Sequence, residues 1–433
     1  MNRTSISYEI NDADSVKKAL LHWCAPNEEI IFLDSNNYQQ EHSSFDLIVA
    51  FDALTALKTD YHNAFEDLRE YRSITADWIF GYLTYDLKND VEALTSSNPD
   101  HLEFPDLYFF QPKKIIYLKQ GRLYFDYLPM VDDEIESDFR EISEIAFPES
   151  GTPSSEQQIK IKLRIHKDEY HTKVKEMLTH IHRGDIYEAN FCQEFYAEEV
   201  VIDPVHIFEN LNAISRPPFA TYLKLEGKYL ISASPERYLR KQGTAVISQP
   251  IKGTARRARD PEEDLRLIKA LETDPKERSE NVMIVDLVRN DLSRLAVKGS
   301  VQVSELCKVY TFEQVHQLIS TVRAELKPGV DPVDLVKATF PMGSMTGAPK
   351  ISAMKIIEEL EETRRGLYSG AVGYFNPEGD FDFNVIIRSI LYNADNQYLS
   401  FSVGGAITAK SDPEKEYEEC LIKAKALREV LGN

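Results

Sequence analysis

A glutamate and a lysine sixteen residues apart are the strongest candidates for chemistry in this chain. Glu236 follows a proline at a predicted strand end in SASPERYL, and Lys252 in PIKGT is placed on the neighbouring strand. A carboxylic acid and an amine in one pocket can act as general acid and nucleophile, if burial keeps the first protonated and the second uncharged. A cross-strand salt bridge fits this pair equally well. The arginines behind Lys252, Arg256, Arg257 and Arg259, fit surface or pocket-rim charges.

A second carboxylate lies on a predicted helix in SENVMIVDLVRNDL. Glu280 is in line with Met283, Ile284 and Leu287, which follow it by three, four and seven residues. A buried carboxylate is costly unless it is paired or bound to a cation. The sequence alone favours an ion pair, and the candidate partners are Arg278, Arg289 and Arg294.

The last predicted helix carries a third carboxylate. Ser411 or Asp412 caps its start, and Glu419 shares one flank with Lys423. Taken alone, Glu419 and Lys423 form a solvated pair. If this helix meets that of Glu280, the two carboxylates suit Mg²⁺, which takes few protein oxygens and shares the rest with water and an anionic substrate.

Glycines and one arginine mark candidate anion sites. Gly343 and Gly347 form a loop before a helix that begins near Pro349, and this loop can bind a carboxylate as well as a phosphate. Gly404 and Gly405 stand at a strand end, where they allow close approach of a ligand or form a bulge. An arginine in the apolar run NVIIRSI, Arg388, needs an anion, either a substrate carboxylate or an internal Asp or Glu.

Strand and helix patterns alternate irregularly around these residues. FATYLKLEGKYLISAS and YLRKQGTAVISQPI predict strand hairpins, and helices are predicted over 264–295 and after Pro413. This order predicts an α+β fold with antiparallel sheets. Pro, Gly, Ser and Gln cluster between Phe147 and Lys160, so we predict a linker between an amino-terminal region, 1–147, and a second region, 160–433.

Composition argues against several classes of protein. Lysine and arginine total 50 against 71 aspartates and glutamates, a net charge of -21 that disfavours nonspecific binding to nucleic acid or anionic membrane. The four cysteines lie far apart and show neither zinc nor disulfide spacing, which fits a reducing cytoplasm. No apolar leader or long apolar run is present, so we expect neither secretion nor membrane spanning.

Together these stretches resemble the chorismate-utilising enzymes, a family that includes anthranilate, aminodeoxychorismate, isochorismate and salicylate synthases. The resemblance extends from about Glu169 to Leu431 through RGDIYEANFCQ, SASPERYL, PIKGTARR, DPKERSENVMIVDLVRNDLSR, GSMTGAPK, RRGLYSGAVGYF, NVIIRSI and SDPEKEYEECLIKAKAL. The family fold implies antiparallel sheets packed face to face with helices outside. It also implies that region 1–147 contributes strands to the shared fold and that region 160–433 is the chorismate-binding catalytic region.

The resemblance also implies roles for individual residues. It places Mg²⁺ on Glu280 and Glu419, the general acid at Glu236 and the nucleophile at Lys252. The residues that match family positions around the two carboxylates of chorismate or in the same pocket are Ser344, Thr346, Tyr374, Arg388, Gly404, Gly405 and Lys423. His316, in EQVHQLIS, fits a family histidine near the leaving hydroxyl.

Lys252 also separates branches of this family. Anthranilate synthases resemble PIAGT, whereas PIKGT resembles the aminodeoxychorismate branch, whose product is a precursor of para-aminobenzoate and folate. Isochorismate and salicylate synthases have a water-activating lysine where this chain has Glu188. Glu188, Phe191 and Cys192 also depart from the Gln, Leu and Thr usual in the aminodeoxychorismate branch.

The resemblance implies chorismate as substrate and a separate glutamine amidotransferase subunit as the source of ammonia. We expect a separate subunit because the remaining amino-terminal length is too short for a fused glutaminase domain. Two alternatives stay open. One is anthranilate synthase component I, which would eliminate pyruvate after amination, and the other is a catalytically silent chorismate-binding subunit. Retention of Glu236, Lys252, Glu280 and Glu419 argues against the silent subunit.

Overall fold

A computed structural model describes residues 2–38, 44–145, 159–313 and 315–432. In these ranges the helices are α1 (Ala13–Cys24), α2 (Ala64–Thr75), α3 (Lys88–Val91), α4 (Ile135–Glu144), α5 (Lys167–Arg183), α6 (Pro204–Ser215), α7 (Pro261–Thr273), α8 (Pro275–Ser293), α9 (Pro332–Thr339), α10 (Lys350–Leu360) and α11 (Pro413–Val430). Most of the predicted linker, residues 147–158, lies outside the described residues.

The strands of the described ranges pair in an antiparallel manner. They are β1 (Thr4–Glu9), β2 (Glu29–Asp34), β3 (Leu47–Thr59), β4 (Ile79–Leu83), β5 (Leu107–Lys119), β6 (Arg122–Tyr127), β7 (Lys162–Leu163), β8 (Glu188–Ala197), β9 (Phe219–Leu225), β10 (Lys228–Ser234), β11 (Arg237–Gln242), β12 (Ala245–Gln249), β13 (Ile251–Arg256), β14 (Gln302–Thr311), β15 (Val315–Glu325), β16 (Gly347–Ala348), β17 (Ala371–Phe375), β18 (Phe381–Val385), β19 (Ser389–Asn393) and β20 (Tyr398–Thr408). This confirms the α+β class and the antiparallel sheets predicted from the sequence.

The strands form one long hydrogen-bonded series in two halves. One half runs in the order β8, β20, β19, β10, β9, β2 and β3. Strand β5 continues from β3 into the other half, which runs β4, β17, β18, β11, β12 and β15. The pairings of β2 with β9 and of β4 with β17 join strands from both sides of the predicted linker.

Alternation along single strands divides the apolar side chains between two cores. Ile31 of β2 packs in the same core as Phe80 and Phe383 from the other half of the series. Its neighbours Ile30 and Phe32 belong to a second core with residues of α1, α5, α6 and α11. Because successive strand residues point to opposite faces, one face of this half packs on the other half and its outer face packs on helices.

The two helices that flank the candidate site begin with the same cap. The Asp274 side chain accepts the amides of Lys276 and Glu277 at the start of α8, and Asp412 accepts the amide of Lys415 at the start of α11. A proline follows each aspartate at the first helical position, where its missing N–H costs nothing. Of the two predicted caps for α11, the structure therefore uses Asp412.

Among the described residues, no helix is long and apolar enough to cross a membrane.

Candidate active site

A cavity of about 680 Å³ lies between strands β13, β15 and β20 and helices α6, α8 and α11. Nine of the twelve predicted site residues line it, namely Glu236, Lys252, Glu280, Ser344, Arg388, Gly404, Gly405, Glu419 and Lys423. These residues are up to 187 positions apart in the chain, so the fold assembles the site from many separate segments.

Glu236 is the most deeply buried acid of this set. It stands in the turn between β10 and β11, where its amide donates to the Ser234 hydroxyl and its carbonyl accepts the Val385 amide. Burial raises the pKa of the Glu236 carboxyl to about 7, although Ser344 and Lys252 oppose the increase. The side chain therefore holds a proton near neutral pH and can donate it to a ligand in the cavity.

Lys252 is half-buried on β13, directly after the turn from β12. The pairing of β13 with β15 shifts register between Ile251 and Thr254, and Gly253 takes a φ of 95° there. A side chain at Gly253 would be strained and would come within 3.0 Å of Glu277 and Leu318. The lysine and glycine of PIKGT thus belong to one bulge that presents Lys252 to the cavity.

The Lys252 ammonium forms neither a hydrogen bond nor an ion pair with any residue the structure describes. Its charge nevertheless lowers the pKa of Glu236, Glu280 and Glu188, in each case against a larger opposing effect of burial. A salt bridge, which the sequence left open for Glu236 and Lys252, is therefore absent between these side chains as described.

Helices α8 and α11 each present two carboxylates to the cavity at a spacing of three residues. They are Glu277 and Glu280 on α8 and Glu416 and Glu419 on α11. Lys276 lies between the pairs, with its Nζ 3.8 Å from Glu280 Oε1 and 3.3 Å from Glu416 Oε1. The arginines proposed as partners of Glu280 instead contact Glu272, Asp286 and Asp291.

The carboxylates of Glu280 and Glu419 differ in their hydrogen-bond and ion-pair partners. Burial raises the pKa of the Glu280 carboxyl to about 7, and its Oε1 atom has no hydrogen-bond partner in the described structure. Glu419 forms the predicted pair with Lys423, at 2.6 Å. Burial raises the pKa of the Glu419 carboxyl, but Lys423, Lys276 and Lys252 together outweigh this effect and hold the pKa below the usual value.

The donor set fits a hard divalent cation such as Mg²⁺. The Oε1 atom of buried Glu280 has only the longer ion pair with Lys276 and no hydrogen bond among the described residues, and carboxylates from both helices line the same cavity. Among the described residues, no three His, Cys, Asp or Glu side chains converge closely enough to hold an ion by themselves. An ion would therefore take only a few protein oxygens and the remainder from water and substrate, as Mg²⁺ commonly does.

Arg388 supplies a cation at another part of the cavity wall. It lies between β18 and β19 with a φ of 52°, so it occupies a kink rather than the predicted strand interior. Within the described ranges its guanidinium makes no ion pair, and burial lowers its pKa. No internal Asp or Glu therefore satisfies this guanidinium, and a ligand carboxylate could do so.

The two glycines of β20 serve different purposes. A side chain at Gly404 would come within 2.5 Å of Cys192 Sγ and 2.6 Å of the Phe191 carbonyl on β8. At Gly405 it would meet Glu416 and Glu419 only at ordinary contact distance. Gly404 thus allows strand packing, and its carbonyl accepts a bond from Lys423 at 2.7 Å, while Gly405 keeps the wall of the cavity open.

The structure does not bring Tyr374 to this cavity. Tyr374 lies on β17 and lines a separate cavity of about 60 Å³, together with Ser44 and Asp382. The tyrosine that lines the large cavity is Tyr368, in the turn before β17. Both tyrosines belong to RRGLYSGAVGYF, and the structure places Tyr368 at this cavity instead of the predicted Tyr374.

His316 also points away from the cavity. Its ring nitrogens bond Thr311 Oγ1 and Asp264 Oδ1, both at 2.9 Å, and the side chain is fully buried. The next residue on β15, Gln317, lines the cavity instead. This correction follows from the strand geometry, because adjacent side chains point to opposite faces.

Thr346 is buried within its own loop. Its hydroxyl donates to the carbonyls of Met342 and Gly343, and its carbonyl accepts the Asn190 amide. It therefore shapes the loop that presents Ser344 but does not line the cavity. The cavity residues absent from the predicted site residues include Lys276, Glu277, Gln317, Tyr368 and Glu416. The signal for two of these was the repeated Glu-x-x-Glu spacing on α8 and α11.

Residues 28–429 match the family described as chorismate binding enzyme, and this chain belongs to that family. It is a chorismate-utilising enzyme, and nine of the twelve residues that the family resemblance assigned to that chemistry line the large cavity.

Curated relatives carry the names of two branches of the family. An anthranilate synthase component I-like protein of Synechocystis is 34% identical over 375 residues, which cover 85% of this chain and 75% of the relative. Aminodeoxychorismate synthase component 1 of Escherichia coli is 41% identical over 265 residues, which cover 61% of this chain and 58% of the relative. Anthranilate synthase component I of Streptococcus pneumoniae has a similar structure, with a TM-score of 0.77 and 26% identity over 90% of this chain and 95% of that one.

Proposed function

We propose that this chain is aminodeoxychorismate synthase component I, which converts chorismate and ammonia to 4-amino-4-deoxychorismate. The observation that carries the proposal is the placement of Lys252 on the cavity wall beside the protonated Glu236, without a partner for its ammonium among the described residues. An amine kept free of ion pairs is available as a nucleophile.

In the first step the free amine of Lys252 bonds to the ring carbon beside the one that bears the carboxylate. The two conjugated ring double bonds shift toward the carbon that bears the hydroxyl, its C–O bond breaks, and Glu236 gives its proton to the departing oxygen, which leaves as water. Burial favours this role because it keeps Glu236 protonated near neutral pH.

In the second step ammonia bonds to the carbon that lost the hydroxyl. The bond between the ring and Lys252 breaks, and the lysine recovers its electron pair. The nitrogen from ammonia passes one proton to the Glu236 carboxylate, so both side chains return to their starting forms. Two allylic displacements thus replace one hard displacement.

Glu280 and Glu419 would hold Mg²⁺, which supplies charge neutralisation at the ring carboxylate and polarises the ring when bound. Arg388 and Lys423 would hold the carboxylates of chorismate through charge-assisted hydrogen bonds. Ser344 would stabilise the carboxylate that Glu236 becomes after it gives up its proton, since Ser344 lowers the pKa of that carboxyl. These contacts orient the substrate between Lys252 and Glu236.

A separate glutamine amidotransferase subunit would supply the ammonia. The E. coli relative is named as component 1 of its synthase, and this name supports a second component. With ammonium salts in excess, the chain alone should aminate chorismate, because ammonia in solution replaces the partner.

Product analysis tests the proposal. Purified protein with chorismate, Mg²⁺ and ammonium chloride should form 4-amino-4-deoxychorismate, separated by liquid chromatography and identified by mass. The Synechocystis relative, named as anthranilate synthase component I-like, favours anthranilate as the alternative product. Formation of anthranilate without an added lyase would exclude our assignment, and chorismate binding without turnover would support a silent subunit.

A further inference from the structure

One polar side chain in the cavity has no part in the steps above. Gln317 is 2% exposed, lines the large cavity from β15, and its Oε1 atom has no hydrogen-bond partner in the part of the chain that the structure describes. A buried amide oxygen without a partner costs free energy, so this atom needs a donor. An acceptor aimed into a ligand cavity obtains that donor from the ligand.

Within the described residues of its own hairpin, Gln317 has no charged neighbour at the cavity wall. The other described residues that line the cavity from this hairpin are Phe312 and Val315, which are apolar. The groups that suit a carboxylate, Arg388 and Lys423, lie on other segments of the wall. An amide oxygen would also repel a carboxylate, so Gln317 must receive a group that donates hydrogen bonds.

Two ligands of the proposed reaction can donate. Chorismate has one hydroxyl as a donor, and in the proposed reaction this hydroxyl is the group that Glu236 protonates. Ammonia has three N–H donors and one lone pair, and acceptors around it turn that lone pair toward the carbon that it attacks. The uncharged amide of Gln317 also selects for ammonium much less than a carboxylate would, and ammonium is not a nucleophile.

The position of Gln317 matches this task. Gln317 pairs with Thr254 on β13, two residues beyond Lys252, so both side chains belong to the same two-stranded wall. Ammonia held there lies on the wall from which Lys252 departs in the second step. We propose that Gln317 binds and orients ammonia through its Oε1 atom, as a specificity residue for the nucleophile. This inference rests on the proposed amination of chorismate.

Steady-state kinetics with varied ammonium chloride and varied chorismate test the assignment. Gln317→Met keeps the length of the side chain and removes the acceptor, so KM for ammonia should rise roughly three- to tenfold, the loss of one hydrogen bond. KM for chorismate should stay within about twofold. The matched control is Gln193→Met, since Gln193 is also 2% exposed with an unpartnered Oε1 but does not line the cavity. Its two KM values should stay near those of the unaltered enzyme.

A second variant keeps the test informative if Gln317→Met fails to fold. Gln317→Glu places a carboxylate at the same position, and because it favours ammonium, ammonia-dependent turnover should need a higher pH than in the unaltered enzyme. A rise in KM for chorismate alone, or no change in either KM, would overturn the assignment. If the unaltered enzyme forms anthranilate, only the proposed function fails, whereas absence of any ammonia-dependent turnover would overturn both.

Discussion

The large cavity beside β13 and the small cavity beside β17 differ in whether their charged side chains have partners within the protein. In the small cavity, Arg237 bonds Asp382 at 2.9 Å and Gln249 at 2.6 Å. In the large cavity, Lys252 and Arg388 form no ion pair with any described residue, and Glu280 Oε1 has no hydrogen-bond partner there. Internal pairing satisfies the first set, whereas the second set needs a ligand. Unpaired charge therefore identifies the reactive cavity better than burial does, because both cavities are buried.

The largest effect should come from Lys252. Lys252→Ala removes the proposed nucleophile, so formation of 4-amino-4-deoxychorismate should fall at least about a thousandfold. Thermal unfolding should be little changed, because this ammonium makes no ion pair in the described structure. Lys241→Ala is the control, since Lys241 bonds Asp380 at 2.9 Å away from the large cavity. Unchanged product formation by Lys252→Ala would remove the covalent step.

The next effect concerns Glu236 as an acid. Glu236→Gln cannot donate a proton to the leaving hydroxyl, so kcat/KM should fall about a hundredfold. Burial raises the pKa of Glu236 to about 7, so the rate of the unaltered enzyme should decline as pH rises above that value. A pH–rate profile of both proteins measures this. If the rate of Glu236→Gln shows the same decline above that pH, the decline belongs to the titration of another group.

Glu236→Gln should lower activity but should increase the free energy of unfolding. The folded pKa of Glu236 lies above the unfolded value of 4.5, so its contribution is full below about pH 4.5 and is lost as pH rises through about 7. Glu236→Gln should therefore gain stability relative to the unaltered protein by up to about 3 kcal/mol between pH 5 and pH 8. Urea unfolding of both proteins at pH 5 and pH 8 measures this gain. If the variant and the unaltered protein differ by the same free energy at both pH values, the burial of an ionisable acid at this position would be contradicted.

Two variants, each lacking one charged group of one cavity, compare the role of the large cavity in substrate binding with the role of the small cavity in stability. Arg388→Met should raise KM for chorismate roughly 10- to 100-fold, as expected for a charged hydrogen bond, without lowering the free energy of unfolding. Asp382→Asn removes the carboxylate that Arg237 bonds, so the free energy of unfolding should fall by roughly 3 kcal/mol while KM for chorismate stays within about twofold. Kinetics with varied chorismate and urea unfolding measure both quantities for both variants. A loss of stability in Arg388→Met together with a raised KM in Asp382→Asn would contradict the distinction between the two cavities.

Much of the fold and most of the site follow from local sequence. Alternation gave the hairpin of β9 and β10, and Asp412 with Pro413 gave the start of α11. Of the three predicted residues that do not line the large cavity, His316 and Tyr374 lie on strands whose two faces are both buried. In β15 and β17 nearly every residue is buried, so polarity does not distinguish the face that carries His316 from the face that carries Gln317. The meeting of α8 and α11 also depends on long-range packing that no local pattern contains.

The smallest effect separates the two tyrosines of RRGLYSGAVGYF. Tyr374→Phe removes a hydroxyl that lies beside Ser44 in the small cavity, so KM for chorismate should stay within about twofold. Tyr368→Phe removes a hydroxyl from a residue that lines the large cavity, so KM should rise roughly three- to tenfold, the value of one hydrogen bond. The two variants make the same chemical change only six residues apart, and kinetics with varied chorismate compare them. An equal or larger effect of Tyr374→Phe would mean that the small cavity communicates with the substrate, and the separation of the two cavities by function would fail.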